Sequence, residues 1–294
     1  MIGKISWPYR LFLVFNHTFL TALAILCIIP LIHMFAVSLS SNSAATAGEV
    51  FLWPVEYTLK SYEFVVSESS FMKAFGVTLQ RVVLGVAINM LITVMVAYPL
   101  SKDASALTGR TVYVWIFVFT MLFNGGIVPN YMTMRMLGLL DTIWVLVLHV
   151  AVPVYNIVIM LNFFRNLPKE LEEAALMDGA GHWTIMRRIY VPLSNASIAT
   201  VTLFSIVMHW NAWFDGILFM NSPDKYPLQS YLYTMVVGLQ TIINSSTDME
   251  LLELVSDRTA KAAQLFVGAL PVLLVYPFIQ KHFTKGIVLG SVKE

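Results

Sequence analysis

From Leu11 to Val37 the chain runs without a charged side chain, and five further runs of the same character follow: Val82–Ser101, Thr111–Met132, Thr142–Phe164, Ser194–Met220 and Ala262–Gln280. A helix needs about 20 mostly apolar residues to cross the hydrocarbon of a bilayer. Each run is long enough, and of the six the fifth alone carries a charged residue, Asp215. A chain built this way cannot fold around one water-facing core, because too little polar surface remains to cover it. Charged residues make up 12% of the 294 and hydrophobic ones 58%, against about 25% charged in an ordinary soluble domain. In lipid every backbone amide must find its partner inside the protein, so the runs are expected to be helices. The strand-length alternation of a membrane barrel is absent from them. The expectation is an all-α polytopic membrane protein with six transmembrane helices.

A net charge of +1 provides no field that would draw nucleic acid, so no nucleic-acid partner is expected; membrane lipid is. Lys4 and Arg10 precede the first run as in a signal peptide. The run is too long for a signal core of about 7–15 residues, so it is read as an uncleaved first span. Six spans place both termini on one side. That side collects most of the 18 basic residues, among them Lys4, Arg10, Lys102, Arg110, Arg165, Lys169, Arg187, Arg188, Lys281 and Lys285. Basic residues accumulate in cytoplasmic loops, so both termini are expected in the cytoplasm. Arg81 falls at the outer end of the second span and is expected to snorkel. The organisation expected is a first span with an outer segment (1–71), a core (72–283) and a cytoplasmic tail (284–294).

The stretch 168–192, "PKELEEAALMDGAGHWTIMRRIYVP", is the longest polar interruption between two spans. Asn166 can cap a helix and Pro168 suits its first turn. Glu170, Glu172 and Glu173 then sit at the positive end of the helix dipole. Leu171, Ala174 and Ala175 share one small apolar face. Gly179 supplies the left-handed residue that ends the helix. A second short helix is expected to carry Trp183, Met186 and Tyr190 on one face, and Pro192 to stop it. Such a helix–turn–helix has an apolar face too small for a core of its own, which suits a surface that a partner protein covers.

Within it, "EAALMDGAGHWTIMRRIYVP" resembles the EAA loop of ABC importer permeases, a pattern of Glu-Ala-Ala, then Gly, then Ile-x-x-Pro. The pattern falls on Glu173, Ala174, Ala175, Asp178, Gly179, Ala180, Ile189 and Pro192. "LFNGGIVPNYM", "GLLDTIWVL", "YPLQSYL" and "QKHFTKGIVLGSVKE" resemble the carbohydrate branch, on the side of its maltose-type smaller subunit and of importers of complex oligosaccharides. The resemblance implies the binding-protein-dependent transport permease fold. It implies a coupling helix docked on a cytoplasmic ATPase dimer, a homologous sister permease, an extracytoplasmic sugar-binding protein and an oligosaccharide substrate moved by alternating access. It further implies that the tail, with Lys285, Gly286 and Gly290, reaches the ATPase subunits. Cofactors would then be ATP and Mg in those partners and none in this chain, which has no G-x-x-x-x-G-K-[ST] phosphate loop.

Polar groups inside a span are costly and usually face the bundle interior. The fifth run holds the densest set, "MHWNAWFDG", with His209, Trp210, Asn211, Trp213 and Asp215; Asn124, Tyr155 and Asn156 lie at comparable depth in the third and fourth. Aromatic faces stack on sugar rings, and amides and carboxylates bind hydroxyls, so these residues form a candidate sugar pathway. They also fit a plainer reading, as interfacial tryptophans and inter-helix hydrogen bonds. Asn124-Gly125-Gly126 marks a bend or a close helix approach. The six histidines form no H-x-x-x-H pair or Cys/His cluster, so neither a metal site nor a catalytic set is expected, and no enzymatic role. The alternative from another class, an autonomous ion-coupled secondary transporter, has one candidate coupling acid, Asp215.

Overall fold

The computed structural model describes residues 7–245 and 258–291, with side chains described for 7–236 and 258–274. Among these residues every regular element is helical. Two compact units divide the chain: Met1–Phe71 with Val236–Leu270, and Met72–Met235 with Pro271–Glu294.

In the first unit, α1 (Trp7–Ser38) takes up the first apolar run. At 1.5 Å per residue it is about 48 Å long, ample for a hydrocarbon core of about 30 Å. Leu11, Phe12, Phe15, Leu20 and Leu26 stand exposed around it, as on a helix whose solvent is lipid. The segment after it is structured. Ser41 caps α2 (Asn42–Ala47) through the Ala44 amide, and Gly48, at φ 77°, ends that helix. Helix α3 (Lys60–Ser67) is tied back to α1 by a 2.7 Å hydrogen bond between the Ser38 and Tyr62 hydroxyls.

In the second unit the expected spans are largely broken rods. Helix α4 (Ser69–Ser101) is continuous and starts well before the predicted Val82. The third run is split into α5 (Arg110–Leu122) and α6 (Ile127–Met136), bent by 114°. Gly126, at φ 91°, adopts a conformation that a Cβ would oppose, and the Asn124 side chain accepts from the Gly126 amide at 2.9 Å in place of a helical carbonyl. The fourth run is split at Pro153 into α7 (Ile143–Leu148) and α8 (Val154–Arg165), since proline has no N–H to continue the ladder.

The hairpin follows as α9 (Lys169–Met177), α10 (His182–Ile185), a π-helical turn (Met186–Tyr190) and α11 (Val191–Leu193). Then come α12 (Asn195–Asn211), α13 (Phe214–Phe219), α14 (Leu228–Ser245) and α15 (Arg258–Ser291). The chain bends by 83° between Leu193 and Asn195. Among the described residues, α1 and α4 are each long and apolar enough to cross a membrane alone, and up to four spans result if each bent pair is one. The third, fourth and fifth runs are thus broken rather than continuous rods.

The segment after Met220 is helical over Leu228–Ser245, with Leu228, Ser230 and Leu232 buried. The expected tail continues α15 as far as Ser291; the side chains of Lys285, Gly286 and Gly290, and residues 292–294 altogether, lie outside the described residues.

Candidate functional site

The hairpin stands on a core made by Tyr98, Met160, Phe164, Ile185, Met186 and Tyr190. Its first helix is entered through Pro168 without a side-chain cap; Asn166 instead closes α8, so the predicted cap is not used. Gly179 does end α9 as expected, at φ 78°, and its amide donates to the Leu176 carbonyl at 3.0 Å. The second helix widens to a π-turn just ahead of Pro192, which has no N–H to donate to the Arg188 carbonyl.

The motif residues divide by direction. Ala175, Ala180 and Ile189 pack against the core, while Glu173, Ala174, Asp178 and Gly179 are exposed. Met186 and Tyr190 are buried, Trp183 is 61% exposed, and Trp183 and Met186 meet at one cavity beside Leu176. A cavity of about 670 Å³ opens there, lined by Tyr98, Lys102, Glu172, Leu176, His182 and Trp183.

The residue that fastens the hairpin is Glu172, which the motif does not include. Its carboxylate lies 2.7 Å from the Lys102 ammonium and accepts from the Tyr190 hydroxyl. Lys102 lies 4.0 Å from the ring centroids of both Tyr98 and Tyr190, a cation held between two aromatic faces. Burial pushes the Glu172 carboxyl up, but the bonds from Lys102 and Tyr190 outweigh it and hold the group below the ordinary glutamate value. Burial also lowers the Lys102 ammonium against the pull of Glu172, and burial followed by Glu172 raises the Tyr190 phenol.

A second polar group lies inside the helices. Arg81, Gly85 and Asn89 recur every fourth residue, hence along one face of α4. Arg81 does not snorkel: it is 1% exposed and grips Asp215 with both guanidinium nitrogens, one of them at 3.0 Å. The His209 ring lies so close to Gly85 that a Cβ there would sit 2.3 Å from its Nε2. Arg81 Nε donates to His209 Nδ1 at 3.5 Å, which leaves His209 Nε2–H to donate to Asn89 Oδ1 at 3.2 Å. Asn89 in turn donates to the Val150 carbonyl at 3.2 Å, at the break between α7 and α8. His149 Nε2 faces Asp215 at 3.4 Å. Arg81, His209 and Asn89 each point a donor at an acceptor here, which is what makes buried charge tolerable. Removing one partner of such a pair costs about 3–5 kcal/mol, because the other charge is left bare.

Of the predicted pathway residues, the fold brings His209 and Asp215 together, with Asn211 and Trp213 at the edge of the same seam. Asn156 is elsewhere and buried, donating to Ser205 Oγ at 3.1 Å and to the Val201 carbonyl. Trp210 is buried. Asn211 and Trp213 are exposed, and Trp213 stacks on Tyr233 with centroids 4.2 Å apart. Asn124 is exposed in the break of the third run, at a cavity of about 430 Å³, and Tyr155 is exposed on α8. Arg81, Gly85 and Asn89 were missed; their spacing of four was the available signal.

Residues 105–288 match the family described as binding-protein-dependent transport system inner membrane component. The chain belongs to this permease family. The permease is 38% identical to the polygalacturonan/rhamnogalacturonan transport system permease protein YtcP of Bacillus subtilis (strain 168), over 97% of this chain and 99% of the relative. It is 37% identical to Protein LplC of the same organism, over 97% of this chain and 95% of the relative. Among solved structures it resembles a chain of a bacterial ABC transporter involved in the import of the acidic polysaccharide alginate. There the TM-score is 0.84 and the identity 34%, covering 95% of this chain and 98% of that one. The permease is accordingly a multi-pass inner-membrane transport component. Its hairpin and α5–α13 lie inside the matched residues; Arg81, Gly85 and Asn89 precede them.

Proposed function

We propose that this permease is the transmembrane subunit of an ATP-driven importer of oligosaccharides, one of two homologous subunits above a cytoplasmic ATPase dimer and fed by an extracytoplasmic sugar-binding protein. The observation that carries the reading is the two-sided hairpin. Ala175, Ala180 and Ile189 anchor it to the helices, and Glu173, Ala174 and Asp178 face away from them. A helix clamped on one side and bare on the other transmits force from whatever grips its bare face. ATP and Mg act in the ATPase partners, and both termini lie on the hairpin's side of the membrane. The tail with Lys285, Gly286 and Gly290 is a second contact for those partners.

The sister subunit is supported by the break at Asn124–Gly126. Backbone left out of a helix is not stable against lipid. The exposed break therefore faces water or protein, as it would on a passage shared with a second permease. Within that passage the exposed Asn211 amide and the Trp213–Tyr233 stack suit sugar hydroxyls and rings. Similarity to the polygalacturonan/rhamnogalacturonan permease and to the alginate importer supports an acidic sugar as cargo. The ion-coupled alternative loses its coupling acid, since Asp215 is bound by Arg81.

Reconstitution into liposomes tests the proposal. Uptake of oligogalacturonate or oligoalginate is expected with all four components and ATP. Uptake by this chain alone, driven by an ion gradient, would overturn it.

A further inference from the structure

We propose that Arg81 is a positioning residue that holds the fifth apolar run unwound between α12 and α13. The accounting of backbone groups leads there. In an unbroken helix the Ala212 carbonyl would accept from the Gly216 amide. Here the Gly216 amide donates to Asp215 Oδ1 at 2.9 Å, and the Ala212 carbonyl accepts from Arg81 Nη1 at 3.4 Å. The ion pair between Arg81 and Asp215 thus takes both ends of the missing helical bond. The next carbonyl, of Trp213, accepts the Ser230 hydroxyl at 2.6 Å.

The sequence across the break, His209-Trp210-Asn211-Ala212-Trp213-Phe214, contains neither glycine nor proline, the usual causes of a sharp kink, and Gly216 falls inside α13. An arginine suits this position because its planar fork can engage a carboxylate and a carbonyl at once, which a lysine ammonium does less well. The pin has a consequence for the passage. Next to it lies a cavity of about 320 Å³ lined by Arg81, His149, Met208, Asn211, Trp213 and Asp215, and the break is what turns Asn211 and Trp213 outward at its rim. That last step rests on the proposed sugar passage; the pinning itself does not.

The test is made on the assembled importer with Cys27→Ser and a reporter cysteine at Phe214→Cys, read by maleimide labelling without sugar and, separately, by ATP-driven uptake. In R81M/D215M no charge is left bare, so assembly is retained, while both ends of the missing bond lose their partners and the helix can close. Labelling at position 214 is expected to change at least tenfold and uptake to fall at least tenfold. R81K, which keeps the cation but not the fork, is expected to shift labelling in the same direction. Should R81M/D215M not assemble, R81K decides the matter alone. Parental labelling in the assembled R81M/D215M complex, or in R81K, would show that the pair only balances charge, and would overturn the proposal whatever the cargo proves to be.

Discussion

Lys102, one residue beyond the end of α4, holds Glu172 of α9 at 2.7 Å, so the last turn of a long apolar helix is bolted to the first helix of the hairpin. Both side chains are largely enclosed, at 11% and 16% exposure, where an ion pair is not washed out by solvent. Force applied to the hairpin therefore reaches α4 through this contact and the packed rings around it.

The neighbouring glutamates should separate on mutation. Glu172→Gln removes the charge and is expected to loosen the hairpin by about 1.5–3 kcal/mol, the usual worth of a hydrogen bond to a charged group. Amide hydrogen exchange over residues 169–177 should speed up accordingly. Glu173→Gln should leave that exchange unchanged while weakening sugar-stimulated ATP hydrolysis by the assembled complex.

The same contact sets an acid limit. The Glu172 carboxyl is held below its ordinary value when folded, so the loosened hairpin binds the proton more readily. The stabilisation is therefore fully present above the unfolded value of about 4.3 and is lost as pH falls through the folded value. Nitroxide mobility at position 176 should stay flat from neutrality to about pH 5 and rise on further acidification. Glu172→Gln should remove that rise.

Glycines on α4 are not equivalent. An added methyl at Gly85 meets the His209 ring, whereas one at Gly76 meets nothing within 4 Å. Gly85→Ala should lower the thermal midpoint of the purified complex, by about 1–3 kcal/mol of overpacking. Gly76→Ala should leave it unchanged or raise it slightly, since alanine favours a helix by about 0.5–1 kcal/mol.

At Gly179 the constraint is the backbone. Its φ of 78° and its amide bond to Leu176 are both denied to proline. Gly179→Pro should abolish ATPase coupling with membrane insertion intact. Gly179→Asn should keep most of it, because asparagine tolerates the left-handed region.

The hairpin was legible in the sequence because its signals are local: acids at a helix start, Gly179 at its end, Pro192 after it. The breaks in the third and fourth runs were half legible, through Gly126 and Pro153, though hydropathy alone read both runs as continuous rods. The break at Ala212 was not legible, because its partner Arg81 lies in another helix and no residue nearby announces it. Arg81 itself looked like an anchor for the membrane surface; only the paired Asp215, remote in sequence, shows why it is buried. Glu172 was hidden by its neighbour Glu173, since two adjacent acids look alike until the fold turns one inward.

An ATPase subunit is expected to grip the bare face of the hairpin, and cysteine crosslinking in the transporting complex, in a Cys27→Ser background, reads that contact out. Ala174→Cys, on the exposed face, should capture the ATPase subunit, and Ala175→Cys, packed against the core, should not. Failure of position 174 to capture any nucleotide-hydrolysing subunit in a complex that still imports sugar would show that the hairpin is not the ATPase contact.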